Sequence, residues 1–321
     1  MTALSAGRNA AVQPGQGAGQ GAAGQRPARS WWRRHQAVVA PALMLAPSVL
    51  LFLVFVVYPV GQTFWTSLHD WNGLGEMRWI GLGNYEELWR TEKFFTAIRN
   101  NVLWLAAFLT APVWGLFLAL FLNQQGRGMR AAKTLFFLPF VISSVVIGVL
   151  FTWFYNPSFG LLAKLAGLVG LPAPRLLTDP ELATFAVIAA GMWPQIAYCM
   201  MLYLTGLTAV DRDLVEAGRI DGARGPRMLW HIIVPQLRAA TGIVFVVTVI
   251  GALTSFDLVQ VMTAGGPFGQ TSVLAQLMYQ QSLLVMRPGF GSAIAVVLFL
   301  IMLAYVLVFL RRTFSLKPGG N

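Results

Sequence analysis

The chain has 321 residues, of which 56% are hydrophobic and only 11% charged, and its mean hydropathy is +0.64. Soluble domains carry roughly 25% charged residues, so this composition excludes an ordinary water-soluble domain and points to a membrane. The single cysteine, Cys199, excludes an internal disulfide and any cysteine-rich metal site.

Residues 1–30 are rich in Gly, Ala and Gln, contain no apolar run, and are expected to form a disordered cytoplasmic tail. Trp31, Trp32, Arg33 and Arg34 then read as an interfacial anchor ahead of the first apolar run. That run is long and lies well inside the chain, so no cleaved signal peptide is expected. A spanning helix needs about 20 apolar residues. Six runs qualify: Ala37–Tyr58, Val102–Leu122, Leu135–Tyr155, Ala183–Leu207, Ala240–Val261 and Ala293–Leu310. Only Asp257 puts a formal charge into any of them. The expected fold class is therefore all-α, with six transmembrane helices in residues 31–312 and a short cytoplasmic tail at 313–321.

Between the first two runs, the segment Gly61–Arg99 is too short for a domain with its own core. Its aromatic residues (Trp65, Trp71, Trp79, Tyr85 and Trp89) suit a partly buried layer at the membrane surface. The Asn156–Pro180 segment contains a short apolar stretch, Leu161–Val169, and a third loop, Thr263–Gly289, follows the turn signal AGGP. Pro41, Pro47, Pro112, Pro139 and Pro194 enter the apolar runs and are expected to kink their helices.

The net charge of +11 is explained by topology and not by nucleic-acid binding. With six crossings and the N-terminus inside, 16 of the 23 Lys and Arg residues fall on the cytoplasmic side. The other 7 balance 7 acidic residues outside. This bias is the positive-inside pattern and puts both termini in the cytoplasm.

The stretch Glu216–Pro235, EAGRIDGARGPRMLWHIIVP, is a polar interruption between two apolar runs. Asp213 and Glu216 have the spacing of a capping box for a short helix. Gly222 stands where that helix would end in a left-handed residue, and Pro226 suits the first turn of a second helix. Met228, Leu229, Ile232 and Ile233 fall on one face of the latter. The expected product is a helix–turn–helix knob over residues 211–235. Two uses are open for it: lying on lipid headgroups, or docking in a groove on a partner.

Polar side chains within spanning helices face the protein interior or a wet cavity. The third run offers Phe140, Ser143 and Ser144, the fourth Trp193, Gln195 and Tyr198, and the fifth Thr248, Thr254, Ser255 and Asp257. Hydroxyl and amide groups beside aromatic faces suit a carbohydrate. The bland alternative for Ser144, Thr248 and Ser255 is bonding to their own helix. Asp257, near the end of the fifth run, needs a partner or water there.

Enzymatic readings fail on the residues. His35, His69 and His231 are scattered without metal-ligand spacing. There is no Gly-x-x-x-x-Gly-Lys-[Ser/Thr] phosphate loop, and Asp257 has no second intramembrane carboxylate. No metal or cofactor is expected to be bound by this chain.

The knob resembles the EAA loop by which permease subunits of binding-protein-dependent ABC importers grip their ATPase. Glu216, Ala217, Asp221, Gly222, Ala223, Ile232 and Pro235 stand as in that family, while Gly218 replaces the usual Ala and Val234 the usual Leu. Gly218 is expected to loosen the first helix by roughly 1 kcal/mol. WIGLGNYEELW from Trp79, LFFLPFVIS from Leu135, FYNPSFGLL from Phe154 and FDLVQVMTAGGP from Phe256 extend the resemblance, in register, from about Pro41 to Arg312. It is sharpest to the carbohydrate-uptake branch, the maltose and glycerol-3-phosphate type permeases.

The resemblance implies a type I importer permease fold in the cytoplasmic membrane of a prokaryote. It also implies a second, non-identical permease, two ATP-binding subunits or domains, and an extracytoplasmic solute-binding protein. Sugar-contacting positions of the maltose-type subunit correspond here to Phe140, Ser144, Gly191, Gln195, Tyr198, Thr248, Gly251, Ala252 and Ser255. The FDLV segment that holds Asp257 resembles a family motif, which implies an anchor of the external gate ahead of a substrate contact. Other classes are a self-sufficient channel or secondary carrier, for which no inverted repeat is found, and a membrane scaffold that uses the loop only for docking.

Overall fold

The computed structural model describes residues 31–124 and 126–315, excluding the side chains of 31–40, 127 and 312–315; the expected tail at 1–30 and residues 316–321 lie outside the described residues. The chain divides into two compact units, Met1–Tyr58 and Pro59–Asn321. The described part of the first is α1 (Trp31–Phe52), with Pro41 and Pro47 inside it, continued by a π turn at Leu53–Val57. Its apolar side chains, Leu43, Met44 and Phe55 among them, are exposed, as befits a lipid-facing helix.

Along the rest of the chain come α2 (Tyr58–Ser67), an antiparallel pair of two-residue strands β1 (His69–Asp70) and β2 (Arg78–Trp79), α3 (Gly83–Arg90), α4 (Glu92–Phe108) and α5 (Ala111–Leu122). They are followed by α6 (Arg127–Val141), α7 (Ser144–Phe154), α8 (Leu161–Leu168) and the long α9 (Ala183–Thr208). The knob region holds α10 (Arg212–Ile220), α11 (Pro226–Met228), a π turn at Leu229–Ile233 and α12 (Val234–Gln236). The chain closes with α13 (Arg238–Leu253), α14 (Asp257–Met262), α15 (Leu274–Tyr279), a π turn at Gln280–Leu284 and α16 (Pro288–Ser315). The last helix thus runs into the segment expected as a tail at 313–321.

Five helical stretches among the described residues are long and apolar enough to cross a bilayer: Pro41–Ser67, Glu92–Leu122, Ala183–Thr208, Arg238–Met262 and Pro288–Arg311. The expected span Leu135–Tyr155, for which a kink at Pro139 was expected, is broken a few residues later, Pro139 itself lying inside α6. Its residues belong to α6 and α7, which meet at a bend of 97°. Ile142 (ψ 136°) and Ser143 (ψ 140°) are extended there, and two such residues suffice to turn an apolar run that hydropathy reads as continuous. Pro112 is corrected as well. It does not kink a helix from within but sits in the first turn of α5, just past the break at Leu109–Thr110, where its missing N–H costs nothing.

Helix α5 lays Ala111, Gly115 and Ala119 in a buried row against α9. A β-carbon added at Gly115 would stand 2.5 Å from Cys199 Cβ and 2.8 Å from the Met200 amide nitrogen, so only glycine permits this approach. Small residues that let backbones close up are the usual basis of helix association in lipid. Around this seam the core forms one cluster with Met200, Tyr203 and Leu237, a second with Trp104, Val187 and Val259, and a third with Phe94, Leu274 and Phe290.

The expected half-buried aromatic layer of the Gly61–Arg99 segment is only partly formed, since Trp65, Trp79 and Trp89 are exposed. What orders the segment is polar. The buried Asn84 donates from Nδ2 to the Ser67 carbonyl at 2.8 Å and to the His69 carbonyl at 2.9 Å. A second clasp holds the excursion between α13 and α15. Asn101 donates to the Leu253 carbonyl at 3.3 Å and accepts from the Leu274 N–H at 2.9 Å, while Asn100 donates to Gln270 O and Ser272 O at 2.6 and 2.8 Å. Both clasps escape the sequence, because nothing local marks an asparagine as the partner of a carbonyl 15 or 17 residues away, still less of one 152 residues away.

Candidate functional site: a central cavity and a helix–turn–helix knob

Helices α4, α6, α9 and α13, with the breaks after α6 and α13 and the starts of α7 and α14, line a half-open cavity of about 310 Å³. The breaks matter chemically, because each brings non-helical backbone and small polar side chains to a wall that continuous helices would close. Phe140, Ser144, Gly191, Gln195, Tyr198, Gly251 and Ser255 all border it, so most of the positions marked in the sequence come together. Phe140 and Tyr198 stack face to face, with ring centroids 4.6 Å apart and an interplanar angle of 7°. Ser255 Oγ donates to the Gly251 carbonyl at 2.9 Å, the self-bonding that was its bland alternative. Thr254 does the same with Ile250 at 2.9 Å.

Thr248 and Ala252 do not border the cavity; both are fully buried behind it. Trp193 also points elsewhere, edge-on to Phe151. Asp257 lies inside the candidate span Arg238–Met262, as expected, but just past its break. It opens the separate short helix α14, is exposed, and borders the cavity.

Trp104 was missed in the sequence. It is 1% exposed, lines the cavity, and packs edge-on to Phe108 at 5.2 Å. A β-carbon at Gly191 would lie 2.7 Å from the indole ring, so Trp104 fills the room that the glycine leaves. The paired large and small residues, 87 positions apart, are not visible without the fold.

The knob forms largely as its sequence suggests. Gly222 takes φ +83°, its N–H donates to the Arg219 carbonyl at 3.1 Å, and Ala223 N–H donates to the Gly218 carbonyl at 2.8 Å. These two bonds close the end of α10 in a Schellman motif. Gly225, at φ +52°, makes a second positive-φ turn before Pro226 starts α11. The capping residue is corrected: Asp211, not Asp213, caps α10, its carboxylate accepting from Asp213 N–H at 2.9 Å. The π turn at Leu229–Ile233 lets Val234 N–H reach the Leu229 carbonyl. It thereby opens the helix just before Pro235, whose ring would clash with a carbonyl in α register.

The apolar face expected to seek a partner is also corrected. Met228 is buried and Ile232 packs onto Gly218, where an added β-carbon would collide with Ile232 Cδ1. Gly218 therefore joins the two short helices closely, instead of merely loosening the first. The apolar side chains left exposed are Leu214, Trp230 and Ile220, the last at 86%. Glu216, Ala217 and Asp221 are exposed beside them, and Ala223 is half-buried. All three ion pairs among the described residues lie away from the knob. Gln236, also missed, ties its ends together, accepting from Asp211 N–H at 2.8 Å and donating to Ile232 O at 2.9 Å.

The family model described as "Binding-protein-dependent transport system inner membrane component" matches residues 111–317. The chain is 35% identical over 277 residues to the probable ABC transporter permease protein PH1215 of Pyrococcus horikoshii, covering 85% of this chain and 95% of that one. It is 30% identical over 272 residues to the trehalose/maltose transport system permease protein MalF of Thermococcus litoralis, covering 84% and 92%. A solved chain of a bacterial alginate ABC transporter, in complex with an alginate pentasaccharide-bound periplasmic protein, shares the fold. Its TM-score is 0.77 at 22% identity, with 90% of this chain and 99% of that one covered. The long apolar helices agree with these matches: the chain belongs to the inner-membrane components of binding-protein-dependent transport systems, and is a multi-pass permease subunit of the cytoplasmic membrane.

Proposed function

We propose that this chain forms half of the pathway by which an ATP-driven importer takes up a carbohydrate. In this reading the bent pair α6–α7 counts as one crossing, which gives six spans with both termini in the cytoplasm. That places the knob on the cytoplasmic side, where Glu216, Ala217, Gly218, Asp221, Gly222, Ala223, Ile232 and Pro235 form the coupling element. A second, non-identical permease supplies the other half, two ATP-binding subunits or domains hydrolyse ATP, and an extracytoplasmic binding protein delivers the solute.

The observation that carries the carbohydrate reading is the cavity wall. The Phe140–Tyr198 stack offers an apolar face for sugar C–H surfaces, and Ser144, Gln195 and Ser255 offer polar groups for hydroxyls. The trehalose/maltose relative and the alginate transporter support it by likeness. Closure of the ATPases rocks the knob as a rigid body and opens the cavity to the opposite side. The test is uptake of labelled glucose, maltose and trehalose by the whole complex, purified through a tag on this chain and reconstituted with its binding protein. ATP-dependent accumulation of at least one sugar is expected. Uptake that proceeds without ATP, or by this chain alone, contradicts the reading.

A further inference from the structure

Helix α8 borders neither the cavity nor the knob, yet its place is fixed at both ends. Gly160 N–H donates to the Asn156 carbonyl at 2.9 Å, and a β-carbon at Gly160 would collide with the Asn156 and Phe154 carbonyls. The helix therefore starts hard against the end of α7. At its other end Gly170, at φ +70°, donates to the Gly167 carbonyl at 3.2 Å, and Leu171 N–H donates to the Ala166 carbonyl at 2.9 Å. That is a Schellman motif, which stops the helix at a set point. Leu162 turns inward onto the core cluster of Ile147 and Tyr155.

The outward face is apolar. Leu161, Leu165 and Leu168, spaced i, i+4 and i+7, form one stripe, and all three are exposed, Leu168 at 83%. Val169 and Leu171 are exposed at its end, and none of these side chains can make a hydrogen bond. The one charge on the helix is Lys164, exposed on the flank of the stripe. Helix α7 ends the bent apolar pair α6–α7, and whether that pair crosses the bilayer or re-enters it, its end lies at a bilayer boundary. Trp153, exposed in the last turn of α7, is the residue type that gathers at that level. Docking sites for water-borne proteins centre on Trp, Tyr and Arg and are poor in Leu and Val. The stripe has the reverse composition. A lysine beside an apolar helix face reaches back to the phosphate level while its stem stays on the apolar side.

We propose that α8 lies in the plane of the membrane, with Leu161, Leu165 and Leu168 against phospholipid acyl chains and Lys164 at a lipid phosphate. It is an interfacial anchor that sets the depth at which α7 ends.

The test is the accessibility of nitroxide labels. Cys199 is buried, so Leu161→Cys, Leu165→Cys and Leu168→Cys each provide one reactive thiol. Each variant is labelled in the assembled complex, checked for co-purification of its partners, and placed in nanodiscs of phosphatidylethanolamine and phosphatidylglycerol. Thr178→Cys, exposed in the loop beyond α8, is the aqueous control. Power saturation compares oxygen, which concentrates among acyl chains, with a water-soluble nickel chelate. The oxygen-to-nickel ratio at the three stripe positions is expected to exceed that at Thr178 several-fold. A ratio equal to the control shows a water-facing helix and overturns the proposal. Low access to both reagents shows a protein partner over the stripe and overturns it as well. If one substitution disturbs assembly, the other two read the same stripe. Lys164→Glu in the Leu165→Cys background is expected to lower the ratio, since phosphate repels a carboxylate. An unchanged ratio overturns the role of Lys164. None of these outcomes depends on which solute is carried or on what drives its uptake.

Discussion

Glu87 on α3 and Arg287, just ahead of α16, form a bidentate pair with both N–O distances at 2.7 Å. The Arg287 guanidinium, chiefly by hydrogen bonding, holds the Glu87 carboxyl below the usual carboxylate range. The stabilisation of a lowered carboxylate is present above its unfolded pKa and is lost as pH falls through the folded one. Both side chains are nearly half exposed, at 41% and 46%, so solvent screens the pair. Glu87→Gln should therefore destabilise the purified complex by only about 0.2–1 kcal/mol near neutral pH. Thermal unfolding across pH checks this: the gap between wild type and variant should close below the usual carboxylate range. A gap that persists in acid would show that the pair acts through packing alone. Single residues whose role is local were legible in the sequence, such as Gly222 for its left-handed turn and Pro226 for a helix start. The places of Thr248 behind the cavity wall and of Trp104 over Gly191 were not, because they exist only once α4, α9 and α13 are packed.

The apolar runs located the long helices, since hydropathy is an average over a window. The same averaging hid the breaks at Leu109–Thr110, Ile142–Ser143 and Thr254–Phe256, each made by two or three residues inside an unbroken apolar stretch. The last two of those breaks shape the cavity, so the residue types of the candidate site were legible but its walls were not. The knob was the reverse case, short and punctuated by Gly222, Pro226 and Pro235, and its outline was readable residue by residue. The side on which it exposes apolar surface was not, because Gly218 allows Ile232 to turn inward. Gly222→Val places a β-branched side chain at φ +83°, at a cost of about 1–2 kcal/mol. It should misdirect α11 while leaving membrane insertion intact. Glu216→Ala keeps the turn and removes one exposed carboxylate. Quantitative co-purification of the ATPase is expected to fall for both, more severely for Gly222→Val. Equal recovery from both variants and wild type would mean that the turn does not set the docking geometry.

The described residues comprise a first helix with exposed apolar side chains, a helical body that lines a cavity, and a knob that leaves Leu214, Ile220, Trp230, Glu216 and Asp221 exposed. Under the proposed function energy enters through the knob, since the sequence holds no phosphate-binding loop. The same proposal, following the positive-inside count, puts the knob on the cytoplasmic face. Ile220, exposed at the end of α10, is the reporter best placed to ask what the knob touches. Cys199 is buried, so Ile220→Cys introduces one accessible thiol that can carry a benzophenone photocrosslinker. Irradiation of the assembled complex in membranes should link this chain to the ATP-binding subunit. Adducts with lipid alone, in a complex that still transports, would contradict the claim that the knob is the coupling element.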